Sequence, residues 1–273
     1  MNIKEYKKIL FSRSTLRGIV GIVVFLVLWE VGAQSKQWLG FTLPWVGQVP
    51  APTAVLKAWN GLLGDSGYWQ SWYLSLSRVL TGFLVAMLIG IPFGLVMAVS
   101  KTFKGLTFPS FELLRPIPPL AWVPASIIFW PTQELSITFV TFLGAFFTVV
   151  INVLGGAKSI DTRYFQSAQA MGASQWDIFR RVVLPATLPS IVVGSAVGMG
   201  ITWEVVVAAE MISGGGGQGG SGGGLGFFIW NSYVGGSYAQ IVVGMISIGI
   251  AGYVCSASLR ALGGFFTPWL KKR

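Results

Sequence analysis

The chain has 273 residues, of which 53% are apolar and 10% charged, with a mean hydropathy of +0.68. Water-soluble domains carry about 25% charged residues, so this composition excludes a fold that must cover its whole surface with polar groups and points to membrane lipid as the solvent. The net charge of +10 does not imply nucleic acid, because the basic residues sit at the two ends and in short loops between long uncharged stretches, the pattern of membrane orientation rather than of a basic groove.

Chemistry is narrowed further by what is missing. There is no histidine and one cysteine, Cys255, which excludes an intramolecular disulfide, a Cys/His zinc or other such metal site, and Ser-His-Asp or Cys-His catalysis. Cys255 lies in an apolar helical stretch and reads as a small buried hydrophobe.

In chain order, Met1–Arg17 is basic and precedes an apolar run from Gly18 to Ala33. No A-x-A cleavage pattern follows, so the run is expected to be a retained first span rather than a signal peptide. Crossing the hydrocarbon core takes roughly 20 helical residues. Six segments come close, at about 18–34, 72–100, 116–131, 135–154, 189–212 and 238–262. The expected fold is therefore an all-α integral membrane protein of about six transmembrane helices, residues 1–273 forming a single domain. The third span is interrupted by Pro116, Pro118, Pro119 and Pro124 and is expected to begin earlier, as a bent helix from near Phe108. Such breaks persist in membranes only where protein buries the freed backbone.

Between the first two spans, Thr53 is expected to cap a short surface helix over Ala54–Leu63, flanked by Trp38, Trp45, Trp59, Trp69 and Trp72 as an interfacial belt. With the N-terminus inside, sixteen of the nineteen Lys and Arg fall on the cytoplasmic side, Arg115 among them; Lys36 and Lys57 fall outside, and Arg78 within a span. The positive-inside rule then predicts that both termini are cytoplasmic.

From Gly214 to Gly224 the chain is nearly all glycine, with no strand before it and no ribose-binding acid after it, so it reads as a flexible outside loop rather than a dinucleotide fingerprint. Gly155-Gly156-Ala157-Lys158-Ser159 is not a P-loop, since Gly must directly precede the Lys; the chain is not expected to bind ATP itself.

Charged residues within spans are costly, about 2.5–3.5 kcal/mol each on insertion scales, and usually face a cavity or a partner. Glu30 sits at the outer end of the first span, where solvation accounts for it. Glu204 and Glu210 are six residues apart and cannot share one helical face. For Arg78 and Glu210 two readings stay open, pairing with a neighbouring helix or lining a translocation route. Arg78 is the one basic residue placed deep enough to help an anion, with Trp122, Ser126 and Thr202 as further donors.

The most informative stretch is the loop at about 155–188. Tyr164–Met171 is expected to form a short amphipathic helix stopped near Gly172. Ser174 then caps a second helix, with Asp177 completing a box-like arrangement, and that helix ends before Pro185.

This loop resembles that of permeases from binding-protein-dependent ABC importers, which reads E-A-A, three residues, G, nine residues, I-x-L-P. Here Gly172 is followed after nine residues by Val182-Val183-Leu184-Pro185, and Ala168 precedes it by four. Gln166 and Ser167 replace the usual Glu and Ala. Leu114-Arg115-Pro116-Ile117-Pro118-Pro119-Leu120-Ala121-Trp122, Val207-Ala208-Ala209-Glu210 and Gly224-Leu225-Gly226-Phe227 are similar to segments of the taurine and sulfonate permeases and of the related nitrate and bicarbonate permeases.

The resemblance implies a type I ABC importer permease fold in the bacterial cytoplasmic (inner) membrane, and a non-catalytic subunit that pairs with a second, identical copy. It implies two ATPase subunits, which hold ATP and magnesium, docked on a coupling loop of Gln166, Ala168, Gly172, Ala173, Asp177, Leu184 and Pro185. A soluble binding protein would deliver a small anion outside. A secondary transporter or channel would instead show inverted repeats, which the two dissimilar halves lack. A membrane-embedded enzyme would need clustered acids or histidines.

Overall fold

A computed structural model describes residues 13–213 and 223–269. All regular structure among them is helical: α1 (Arg13–Ala33), α2 (Ser35–Leu39), α3 (Pro52–Leu62), α4 (Ser66–Val99), α5 (Lys101–Leu114), α6 (Val123–Phe129), α7 (Gln133–Lys158), α8 (Thr162–Ala170), α9 (Gln175–Ile178), α10 (Leu184–Ile212), α11 (Leu225–Val234) and α12 (Tyr238–Phe266). A π turn, Phe179–Val183, joins α9 to α10, and 3₁₀ turns precede α3 and α6. The glycine run at 214–222, the basic residues before Arg13 and those after Trp269 lie outside the described residues.

Among the described residues, five helical segments are long and apolar enough to cross a membrane: Leu16–Ala33, Ser66–Val99, Gln133–Lys158, Gln175–Ile212 and Tyr238–Phe266. The expected span at 116–131 is not one of them. The chain breaks at the prolines after α5, and the apolar helix that follows, Pro119–Phe129, is only about 16 Å long at 1.5 Å per residue. The bent course foreseen from near Phe108 starts earlier still, at Lys101. At the other extreme, Gln175–Ile212 has 38 residues and runs about 57 Å, nearly twice the ~30 Å hydrocarbon core. Its end must project from the membrane.

The chain divides into two compact units, one of Met1–Asp65 with Asn231–Met245, the other of Ser66–Trp230 with Ile246–Arg273. In the first, Glu30 ends α1 with its carboxylate accepting from the Thr53 N–H at 3.0 Å and the Thr53 hydroxyl at 2.7 Å, and it also accepts from Gln34. Thr53 is thus not the cap of α3. Ala51 holds that position, and the free N-terminal amide is met by a carboxylate from α1. Solvation alone does not describe Glu30.

In the second unit, α4, α7 and α10 form a close-packed core. Small residues set the spacing: a Cβ on Gly82 would lie 2.9 Å from Thr141, on Gly94 2.9 Å from Val153, and on Gly194 2.5 Å from Asn152. Helices in lipid gain no hydrophobic drive from associating with one another, so backbone approach of this kind carries the packing. Val79, Ala86, Val140, Ala145, Val149 and Val206 fill the interior and are fully buried.

Candidate functional site

Three features of the second unit bear on function: a charge cluster at the Gln133 end of α7, a hollow at its mid-height, and the two-helix loop at its Lys158 end.

The charge cluster joins α4, α7, α10 and the start of α11. The Arg78 guanidinium forks onto Glu134, with Nε at 2.8 Å from one oxygen and Nη2 bonded to the other. Its Nη1 donates to Glu210 at 2.8 Å and to the Gly223 carbonyl at 2.6 Å. Glu210 in turn accepts the Ser75 hydroxyl at 2.8 Å and the Gly226 N–H at 2.9 Å, and Ser75 Oγ accepts the Leu225 N–H at 2.8 Å. Arg78 and Glu210 are 2% and 1% exposed. Four hydrogen bonds from its three nitrogens hold Arg78, and two carboxylates face its single charge.

The turn after the glycine run fits this cluster closely. Gly224 has φ +148°, and a Cβ there would strike the Glu210 carboxylate; a Cβ on Gly226 would strike the Val207 carbonyl. Only glycine admits both approaches. Glu134 and Ser75 belong to the cluster as much as Arg78 and Glu210 do. Glu204 does not: it is exposed and has no hydrogen bond or ion pair among the described residues.

The other donors expected along a pathway are occupied or enclosed. Ser126 donates to the Val123 carbonyl at 2.8 Å, and Thr202 to the Gly198 carbonyl at 2.7 Å, each fully buried. The Trp122 indole N–H has no acceptor among the described residues, but it too is buried.

An open hollow of about 330 Å³ lies elsewhere, lined by Arg115, Pro119, Gly144, Phe147, Thr148 and Ile201. Gly144 and Thr148 are each more than about 10 Å along the axis from either end of α7, so the hollow is at membrane depth. The expectation that Arg115 belongs with the surface charges of the loop side is therefore corrected. The chain breaks at Pro116 directly after α5, which lets the side chain reach the middle of α7 instead of the Lys158 end. Among the described residues Arg115 pairs only with Glu112, at 3.0 Å, and both side chains are 45% exposed.

At the Lys158 end, α8 stops at a turn in which Gly172 has φ +78°, with the Gly172 N–H on Gln169 O at 2.9 Å and the Ala173 N–H on Ala168 O at 3.0 Å. Ser174 and Asp177 then form a full capping box at the start of α9. Ala168, Ile178 and Val183 face inward against Leu95, Val149 and Val153, while Gln166 and Gly172 are exposed and Ala173, Asp177, Leu184 and Pro185 half-buried. Contrary to expectation, the helix does not end before Pro185. The π turn, with the Leu184 N–H on Phe179 O, widens the helix, which continues through Pro185 and Pro189 into α10. An apolar hollow of about 680 Å³ opens beside the loop, lined by Val96, Val99, Phe165, Trp176 and Phe179 among others. Tyr164, Met171 and Trp176 stand out from the surface at 65%, 82% and 66% exposure.

Long apolar helices tied at one end by a buried ion-pair cluster, with a two-helix knob at the other, define a multi-pass membrane protein. Residues 90–272 match the family described as binding-protein-dependent transport system inner membrane component, and the chain belongs to that family. It is 32% identical to the taurine transport system permease protein of Escherichia coli over 94% of this chain and 91% of that protein. It is 30% identical to the nitrate import permease protein of Synechocystis over 95% and 92%. A chain of the MetNI methionine ABC transporter in an inward facing conformation shares the fold, with a TM-score of 0.56 at 21% identity over 74% of this chain and 94% of that one.

Proposed function

We propose that this importer permease carries a small anion of the sulfonate or nitrate type, driven by ATP hydrolysis in two partner subunits. The observation that carries the reading is the mid-membrane hollow with Arg115 at its edge and Thr148 on its wall. An anion at that depth needs a positive charge or donors. Arg115 is half-exposed and faces one carboxylate, that of Glu112, whereas Arg78 is buried between Glu134 and Glu210. The names of the taurine and nitrate relatives support the same cargo class.

The Gly172 knob is the site proposed for ATPase docking. Its capping box makes it stiff, and its exposed Tyr164, Met171 and Trp176 give it an apolar contact surface. The knob runs through the π turn into α10, so its displacement would be passed to the core. ATP and magnesium stay in the partners. The knob side is proposed as cytoplasmic, with a second identical copy completing the pathway and a binding protein delivering cargo on the opposite face.

The test is uptake of labelled taurine and of labelled nitrate into proteoliposomes holding the permease, its ATPase and its binding protein. ATP-dependent uptake of either supports the reading. ATP-dependent uptake of a solute that carries no sulfonate or other oxyanion group, with neither taurine nor nitrate carried, overturns the cargo class.

A further inference from the structure

We propose that the knob end of the core carries a binding site for a phosphate group, formed by Lys104 and Lys158 around the Phe108 ring. The Lys104 ammonium lies 5.3 Å and the Lys158 ammonium 5.8 Å from the centre of that one ring, one reaching from α5 and the other from the end of α7. Two like charges gathered at a single aromatic ring repel each other. Neither has a carboxylate partner among the described residues; the nearby Asp161 is turned to Arg163, 3.7 Å away.

The start of α5 adds to the excess. Helix N-termini carry partial positive charge and favour acids in the first turn. Here the first turn has no acid and instead holds Lys101 and Lys104. The Ser100 hydroxyl accepts from Phe103 N–H at 3.2 Å and its carbonyl from Lys104 N–H at 3.0 Å. The amides of Lys101 and Thr102 are left with no acceptor among the described residues. Two ammonium groups gather at Phe108, on the helix whose N-terminus also lacks an acid, and no carboxylate among the described residues neutralises them. Such groups are donors of the kind a tetrahedral oxyanion takes.

The position selects the source. Lys158 ends a 26-residue span, so the group bound there sits at the height of lipid headgroups, and basic pockets between spans on the cytoplasmic side suit anionic lipids. Free phosphate offers the same chemistry and is separated by experiment. The site is independent of the cargo and of the Arg115 hollow.

The complex of permease and ATPase is placed in nanodiscs of phosphatidylcholine alone or with phosphatidylglycerol, and its thermal unfolding and retained lipid (by native mass spectrometry) are followed. Inorganic phosphate is titrated as a separate arm. Phosphatidylglycerol should raise the unfolding temperature and be retained. Lys104→Gln with Lys158→Gln should weaken retention about thirtyfold, from a contribution of about fivefold per lysine, while Lys104→Arg with Lys158→Arg should keep it. Stabilisation by phosphate alone, lost in the Gln variant, would assign the site to the free anion. Equal behaviour of wild type and the Gln variant towards both ligands overturns the site. So does loss of the ATPase from the Gln variant with lipid retention unchanged, which would make the lysines a protein contact.

Discussion

The Arg78 guanidinium reaches the Glu210 carboxylate at 2.8 Å, and neither group is open to solvent. Because α4, α7, α10 and the turn before α11 all contribute to this pair's shell, the pair fixes their relative positions at one end of the core. Removing one partner strands the other. Arg78→Gln and Glu210→Gln are each expected to cost about 3–5 kcal/mol, seen as a sharply lower unfolding temperature in detergent. Arg78→Met combined with Glu210→Leu should recover part of that loss. Unaltered stability in both single variants would show that the pair does not hold the helices.

Gly226 and Gly224 should tolerate no side chain. Gly226→Ala pushes a methyl into the Val207 carbonyl, and a loss of about 2 kcal/mol or more is expected. Gly105 makes a control, since a Cβ there meets nothing within 4 Å; Gly105→Ala should be neutral or stabilise α5 by about 0.5–1 kcal/mol. Thermal unfolding of the two variants side by side separates close approach from helix propensity.

The Gly172 turn is expected to matter for coupling rather than for insertion. At φ +78° a β-branched residue is strained, by about 1–3 kcal/mol. Gly172→Val should leave the protein in the membrane while ATPase stimulation by loaded binding protein falls. Full stimulation in that variant would argue against the knob as the docking site.

The proposed orientation rests on the distribution of basic residues and has its own check. With Cys255 replaced, a cysteine at Lys158 should resist an impermeant reagent applied outside, and one at Lys57 should label. The reverse result would invert the proposed topology.

Much of this architecture is legible in the amino-acid sequence because lipid imposes simple rules. Runs of apolar residues locate the long spans, and Ser174 with Asp177 announces the capping box that the structure contains. The Gly172 turn follows from local chemistry in the same way. What escapes such reading is long-range. Glu134 is 56 residues and Glu210 132 residues from Arg78, and no local pattern says that they meet. The passage of the helix through Pro185 depends on a π turn, whose i→i+5 register leaves no hydropathy signature. Arg115 misleads for a related reason: the prolines that follow it in sequence read as a break at a loop, while its neighbours in space are in the middle of α7.

The central claim is that a small anion passes Arg115 on its way through the membrane. The direct test is initial uptake of labelled taurine or nitrate, whichever is carried, by the reconstituted transporter with Arg115→Gln and with Arg115→Lys. The account predicts uptake reduced about tenfold or more in Arg115→Gln, a loss of about 1.4 kcal/mol, with partial retention in Arg115→Lys and normal assembly in both. Wild-type uptake by a fully assembled Arg115→Gln transporter would contradict it.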